Sequence, residues 1–151
     1  MQRLSLAIPL MCLASLVHAQ TPRALPDNRE PILVSKAERN LVLAEMREFL
    51  HGLHNIHYSL ARKDMKGVSI MAKPMGPLLE RLPGSLKEKL PEGFTELAIA
   101  QNEAFQSLAR LAENGSDVAP ALEQTAEILT YCSGCHDTYR FDVPLAPKPR
   151  R

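Results

Sequence analysis

The chain has 151 residues, enough for one domain with a sizeable hydrophobic core and few for two. Lys and Arg number 18 and Asp and Glu 17, so the formal net charge of +1 lacks the basic excess typical of nucleic-acid-binding proteins. Aromatic residues make up only 5% and Trp is absent, which argues against a base-stacking surface or an aromatic-rich β core. The composition favours a single helical domain that binds no nucleic acid.

The N-terminus is typical of a secretory signal peptide. Arg3 gives a short positive start, the following stretch is almost wholly apolar, and Val17-His18-Ala19 supplies small residues where a signal peptidase cuts. This apolar stretch is too short to span a membrane, and no later segment reaches the required length. We therefore predict a signal peptide at residues 1–19 that is cleaved after Ala19, export to the periplasm, and no membrane span.

Amphipathic helices are predicted beyond an extended, Pro-rich leader at residues 20–34. The first helix begins at a capping box in which Ser35 and Glu38 cap each other's backbone amides. Its apolar seam, spaced alternately by four and three residues, is Val42, Met46, Phe49, Leu53, Ile56 and Leu60. The second helix begins at the N-cap Asp64.

The second half of the chain predicts two more helices. Residues 78–91 form a connection with one or two helical turns, and the third helix runs from Pro91 to the stop signal Asn114-Gly115. The seam of the fourth helix is Val118, Leu122, Thr125, Leu129, Cys132, His136 and Tyr139. No strand-like alternation of useful length is present. The predicted fold is an all-α, antiparallel four-helix bundle over residues 35–140, followed by a Pro-rich tail at residues 141–151.

A C-x-x-C-H pattern, Cys132-Ser133-Gly134-Cys135-His136, lies near the C-terminus. Two thiols at this spacing can each add to one vinyl group of a haem, and the adjacent imidazole can then coordinate the iron. Export agrees with this interpretation, because c-type haem is attached outside the cytoplasm in bacteria. We predict one covalently attached haem c, with thioethers from Cys132 and Cys135 and with His136 as the proximal ligand.

Other interpretations of the two cysteines are weaker. A disulfide would close only a tiny loop and add little stability, and a thioredoxin-like redox pair belongs at a helix N-terminus in a βαβ setting. A zinc site would need further ligands, for which His51, His54 and His57 are the candidates. Because three residues advance less than one helical turn, we expect these histidines to be partly exposed neighbours of the seam. A copper or zinc site, or a sixth haem ligand, is the alternative.

The capped first helix, the long amphipathic helices and the segment TYCSGCHDTYR near the C-terminus resemble the cytochrome c prime family. Ordinary cytochromes c carry the haem motif near the N-terminus, so its late position is discriminating. The resemblance covers about residues 35–140, and C-x-x-C-H-x-x-Y-R is its specific part. It implies a four-helix-bundle c-type cytochrome with the haem on the last helix.

The resemblance also implies which residues surround the iron. In this family the first helix supplies the opposite face, with Met in electron-transfer members and a non-coordinating apolar residue in gas-binding members. Met46 lies near that position and is predicted to be the sixth ligand, with core packing as the alternative. Arg140 is expected one helical turn beyond His136, beside the haem, where it pairs a propionate or modulates the imidazole; the alternative is an exposed helix-end cation. Tyr139 is expected to pack against the macrocycle or a partner helix.

The predicted function is a periplasmic monohaem cytochrome that carries single electrons between redox partner proteins, and the family allows a homodimer. One alternative is a five-coordinate haem protein that binds nitric oxide, carbon monoxide or similar ligands. Another is a haem subunit of a larger redox complex. No nucleophile paired with a base is recognisable in the sequence, so no enzymatic activity is predicted.

Overall fold

The structure is a computed structural model that describes residues 26–145. The predicted signal peptide at residues 1–19, the first part of the leader and the end of the Pro-rich tail lie outside these residues. The described part forms six helices and one two-stranded sheet. The predicted all-α character is confirmed, although the small sheet was not predicted.

The secondary structure follows the predicted order of helices. The elements are β1 (Glu30–Leu33), α1 (Lys36–Ala61), α2 (Met65–Ala72), α3 (Leu78–Arg81), α4 (Gly84–Lys87), α5 (Glu92–Glu113), α6 (Val118–Thr138) and β2 (Tyr139–Asp142). The four predicted helices correspond to α1, α2, α5 and α6, and the turns predicted between them are α3 and α4. None of the helices in the described range combines the length and apolarity needed to cross a membrane.

Local interactions mark the start of α1 and of α2 and the end of α5. The Ser35 hydroxyl accepts a hydrogen bond from the Glu38 amide at 3.2 Å, and the Glu38 carboxylate accepts one from the Ser35 amide at 2.7 Å. The Asp64 carboxylate accepts one from the Gly67 amide at 2.9 Å, which caps α2. Gly115 follows α5 with a φ of 74°, a left-handed conformation that ends helices. These predicted start and stop signals are confirmed.

The helices pack side by side around an apolar core. Helix α5 lies between α2 and α6, and α2 also packs against α1. The largest fully buried side chains include Phe105 and Leu108 of α5, Ile56 of α1 and Ile128 of α6. The Phe105 ring stacks against Phe49 with centroids 6.0 Å apart, which joins α1 to α5. Helices α1 and α6 make little direct contact, so space is left between them.

The predicted seam of α6 is wrong by one residue over part of its length. Leu122 and Leu129 were predicted to be buried, but they are 45% and 44% exposed. The buried residues of this helix are Ala121, Thr125 and Ile128. The Ala121 and Thr125 side chains are small, and they let α6 approach α5 closely. Leu122 and Leu129 then lie outside this contact between the two helices.

The two strands tie together the two ends of the described chain. Strands β1 and β2 are parallel, with Glu30 opposite Tyr139 and Leu33 opposite Asp142. Ile32 and Val34 are each only 2% exposed, so the strand is anchored in the core. The last part of the predicted leader therefore belongs to the folded domain, and so does the start of the predicted tail. The sequence analysis found no strand-like alternation of useful length, and these two four-residue strands were therefore not predicted.

Candidate cofactor-binding site

A cavity of about 570 Å³ lies between α1, α5, α6 and the sheet. Cofactor pockets commonly have volumes of roughly 300 to 1,000 Å³. Its walls are largely apolar and include Met46 and Leu53 of α1, Phe94 and Ala98 of α5, and Leu129 of α6. Because Leu129 is itself 44% exposed, the cavity reaches the protein surface beside α6.

The C-x-x-C-H residues all line this cavity. Cys132, Cys135 and His136 lie in the last part of α6, where side chains three and four residues apart share one helix face. Both cysteines are free thiols and half-buried, whereas His136 is exposed. The helix thus presents two thiols and one imidazole to the same space.

The environment of the thiols keeps them protonated. Burial raises the pKa of the Cys135 thiol to about 11, and the neighbouring Cys132 adds a smaller contribution in the same direction. Burial also raises the pKa of Cys132, although the Gln101 amide, which donates a hydrogen bond to its sulfur at 3.5 Å, acts in the opposite direction. Gln101 is only 8% exposed and also lines the cavity. Thiolate reactions are disfavoured here at neutral pH, because both sulfurs carry their protons.

Met46 of α1 also lines this cavity. It lies on α1, is partly buried, and lines the cavity together with Leu43 and Leu50. The structure therefore brings Met46 and His136 to one cavity.

The three histidines of α1 lie away from the cavity. His51, His54 and His57 are exposed, in agreement with the sequence analysis, and none of them lines the cavity. The His57 Nδ1 atom lies 2.8 Å from the Leu53 carbonyl oxygen on the same helix. Within residues 26–145, no group of three or more His, Cys, Asp or Glu side chains is arranged to hold a metal ion.

Tyr139 and Arg140 line the cavity but do not lie on the helix. Arg140 was predicted to lie one helical turn beyond His136, and this is wrong because α6 ends at Thr138. Tyr139 adopts φ −120° and ψ 151°, so the chain leaves the helix and both residues belong to β2. The Tyr139 ring packs edge-on against Phe94 with centroids 5.5 Å apart, and thus closes the sheet end of the cavity.

The sheet end of the cavity carries charged residues that the sequence analysis did not identify. Arg29 and Arg39 line it beside Arg140, together with the carboxylates of Asp27 and Asp142. The Arg29 guanidinium donates to Asp27 at 2.7 and 2.9 Å and holds the pKa of that carboxyl well below its usual range. Arg140 lies 3.4 Å from the Asp142 carboxylate. The cavity is therefore apolar along the helices and charged at the sheet, with one more arginine than aspartate.

A comparison of the chain with known protein families, with curated proteins and with solved structures found no match in any of the three. The residues that line the cavity offer two thiols and an imidazole on one helix face, a thioether from α1, apolar walls and a cationic end. Such a set can hold a large, mostly apolar cofactor that carries carboxylates at one edge.

Proposed function

We propose that the protein is a periplasmic c-type cytochrome that carries one haem in this cavity and passes single electrons between redox partner proteins. The observation that carries the proposal is the position of the motif. Cys132, Cys135 and His136 open together into a cavity of about 570 Å³, and Met46 lines the same cavity from α1. A C-x-x-C-H motif on an exposed surface without an adjoining cavity would give much weaker support.

The shape and polarity of the cavity fit a haem. A haem is a flat, apolar ring with two carboxylates at one edge, and the cavity is apolar along α1 and α5. Its sheet end offers the guanidinium groups of Arg29, Arg39 and Arg140, which suit carboxylates.

Each residue of the site has a defined role in this proposal. Cys132 and Cys135 would hold the haem through thioether bonds, in which each S–H group is added across one vinyl group. His136 would bind the iron through an imidazole nitrogen and Met46 through its thioether sulfur. A haem bound here supplies an iron that alternates between Fe(III) and Fe(II). The apolar walls along α1 and α5 would lower the polarity around the iron and so limit reorganisation when its charge changes.

The proposal also covers the family and the arrangement of the helices. We propose that the chain belongs to the cytochrome c prime family and that α1, α2, α5 and α6 form an antiparallel four-helix bundle. The packing of α5 between α2 and α6, and of α2 against α1, supports this arrangement. The gap between α1 and α6 is then the haem crevice of the bundle.

The mass and the spectrum of the exported protein test the proposed function. We expect a coloured product whose mass equals the cleaved chain plus one haem, with a haemochrome spectrum typical of two thioethers. Cys132→Ser combined with Cys135→Ser should give a colourless product, whereas the control Ser133→Ala should keep the haem. A colourless parent protein with the mass of the bare cleaved chain would contradict the proposal.

A second candidate function is the binding of gaseous ligands by a five-coordinate iron. The neighbours of Met46 in the cavity, Leu43 and Leu50, are apolar and cannot coordinate, which favours this candidate if Met46 only packs. In that case the ferric protein is high-spin at neutral pH, and carbon monoxide shifts the spectrum of the reduced protein without any substitution. A low-spin spectrum that carbon monoxide does not alter supports electron transfer.

A further inference from the structure

The segment that precedes α1 forms an N-terminal strap, residues 27–34, across the end of α6. Its strand β1 pairs in parallel with β2, and the Val34 amide extends the pairing by donating to the Asp142 carbonyl at 2.9 Å. Ile32 and Val34 are almost completely buried, so the strap is fixed to the core. Asp27 and Arg29 at its start line the cavity. The strap is therefore a wall of the site.

Arg29 contacts the chain on both sides of the point where α6 becomes β2. Its guanidinium donates to the His136 carbonyl oxygen at 3.2 Å, and its own carbonyl oxygen accepts from the Arg140 side chain at 3.2 Å. Asp27 holds the same guanidinium through hydrogen bonds of 2.7 and 2.9 Å. Arg29 thus links the His136 backbone carbonyl, directly after the second cysteine of the motif, to the Arg140 side chain.

We infer that Arg29 is a positioning residue for His136, and that the strap sets the orientation of this imidazole within the cavity. This inference rests on the proposed function, in which His136 binds the haem iron. The groups around a ligating imidazole fix its ring plane and tune the metal. The His136 carbonyl lies in the last turn of α6, where carbonyls lack partners within the helix and a cation is favourable. The Arg29 guanidinium supplies both a hydrogen-bond donor and a positive charge to this carbonyl.

Two single substitutions and one double substitution test this role in the haem-bearing protein. Arg29→Met keeps a long side chain but removes the donors and the charge, and Arg29→Gln keeps a shorter donor without the charge. The double variant, Asp27→Asn with Arg29→Met, removes the opposite charges together and leaves the local net charge unchanged. The measurements are the g-values of the ferric electron paramagnetic resonance spectrum, which depend on the imidazole orientation, and the midpoint potential.

We expect both single variants to shift the g-values and to lower the midpoint potential, because a cation near the iron is lost and Asp27 is left unpaired. The double variant should recover the potential but keep the shifted g-values, since its charge balance is restored and its contact with His136 is not. Parent-like g-values in the single variants, or g-values that return with the potential in the double variant, would overturn the inference.

Circular dichroism shows whether each single variant folds, and two variants are used so that the test does not depend on one of them. If only one of them folds, its g-values decide the outcome by the same criterion. A failure of the inference is distinct from a failure of the proposed function. A colourless parent protein contradicts the function, whereas a coloured parent with unaltered g-values in the Arg29 variants contradicts only the positioning role.

Discussion

Met46 offers the sharpest test of how the cavity works, because packing and iron ligation predict different energies. Met46→Ala removes one methylene, the sulfur and one methyl group. A buried methylene contributes about 0.8 kcal/mol, so three groups of this size would contribute about 2.4 kcal/mol if they were fully buried. Met46 is only partly buried, and we therefore expect about 1–2 kcal/mol from packing alone.

Ligation would add to this cost only when the haem is present. We expect Met46→Ala to lower the free energy of unfolding by about 1–2 kcal/mol in the colourless Cys132→Ser/Cys135→Ser chain. In the haem-bearing protein the loss should be larger by at least about 1 kcal/mol, since the bond to the iron is also lost. Urea denaturation of the four proteins in this cycle measures the difference.

Met71→Ala is the matched control, because Met71 is also partly buried but packs on α2 away from the cavity. Its cost should be the same with and without haem. If the coupling between Met46 and the haem is below about 0.5 kcal/mol, the usual limit for independent sites, then Met46 packs and does not coordinate. The ferric haem-bearing protein should then be high-spin at neutral pH, and Met46→Ala should leave its spectrum unchanged.

Three further predictions concern the fold. Phe105 is fully buried against Phe49, so Phe105→Ala should lower the free energy of unfolding in urea by about 3–5 kcal/mol; a loss below about 1 kcal/mol would contradict this core. Ser35→Ala removes the N-cap acceptor of α1 and should cost about 1 kcal/mol in the same assay, whereas no loss would mean that the capping box is unimportant. Lys89, and then Ser35, lower the pKa of Glu38 from 4.5 to about 2. The ionised Glu38 carboxylate therefore stabilises the fold fully above pH 4.5, and this contribution is lost as the pH falls towards 2. Glu38→Gln should flatten the fall in the free energy of unfolding over this pH range. The same fall in the variant as in the parent would refute the contribution of Glu38.

The helices could be predicted from the sequence because their signals are local. The capping box of Ser35 and Glu38 lies within one turn, and Gly115 ends α5 where its sequence position indicates. The seam of α6 was harder to predict. Leu122 is favoured over its neighbour Ala121 by hydrophobicity alone, but close packing against α5 selects the smaller side chain.

The sheet could not be predicted because its signal is not local. Each strand has only four residues, and Glu30 pairs with Tyr139 across the whole helical domain. No alternation of polar and apolar residues over so short a stretch distinguishes a strand from an extended leader. The same cause explains the error at Arg140, since β2 ends the helix that was expected to continue.

About half of the candidate site could be predicted. The cysteine motif identified the part of the cavity that α6 lines. The position of Met46 on the apolar seam of the first helix identified it as a second lining residue. The contribution of Arg29 depends on the pairing of β1 with β2, and the Arg39 side chain donates to the Phe141 carbonyl of β2 at 3.2 Å. Neither long-range contact carries a signature in the sequence. Gln101 did carry a signal, since a polar residue on an apolar seam is buried only where a polar partner meets it.

The pairing of β1 with β2 has a consequence for the order of folding. Arg29 and His136 are 107 positions apart, so their contact closes a long loop, and its entropy cost falls once the intervening helices have formed. Local helices assemble first, and the strand pair is among the last contacts to be made. During biogenesis the cavity is therefore reachable from its sheet end until a late stage, and a group that occupies it is enclosed only when the two termini of the domain come together.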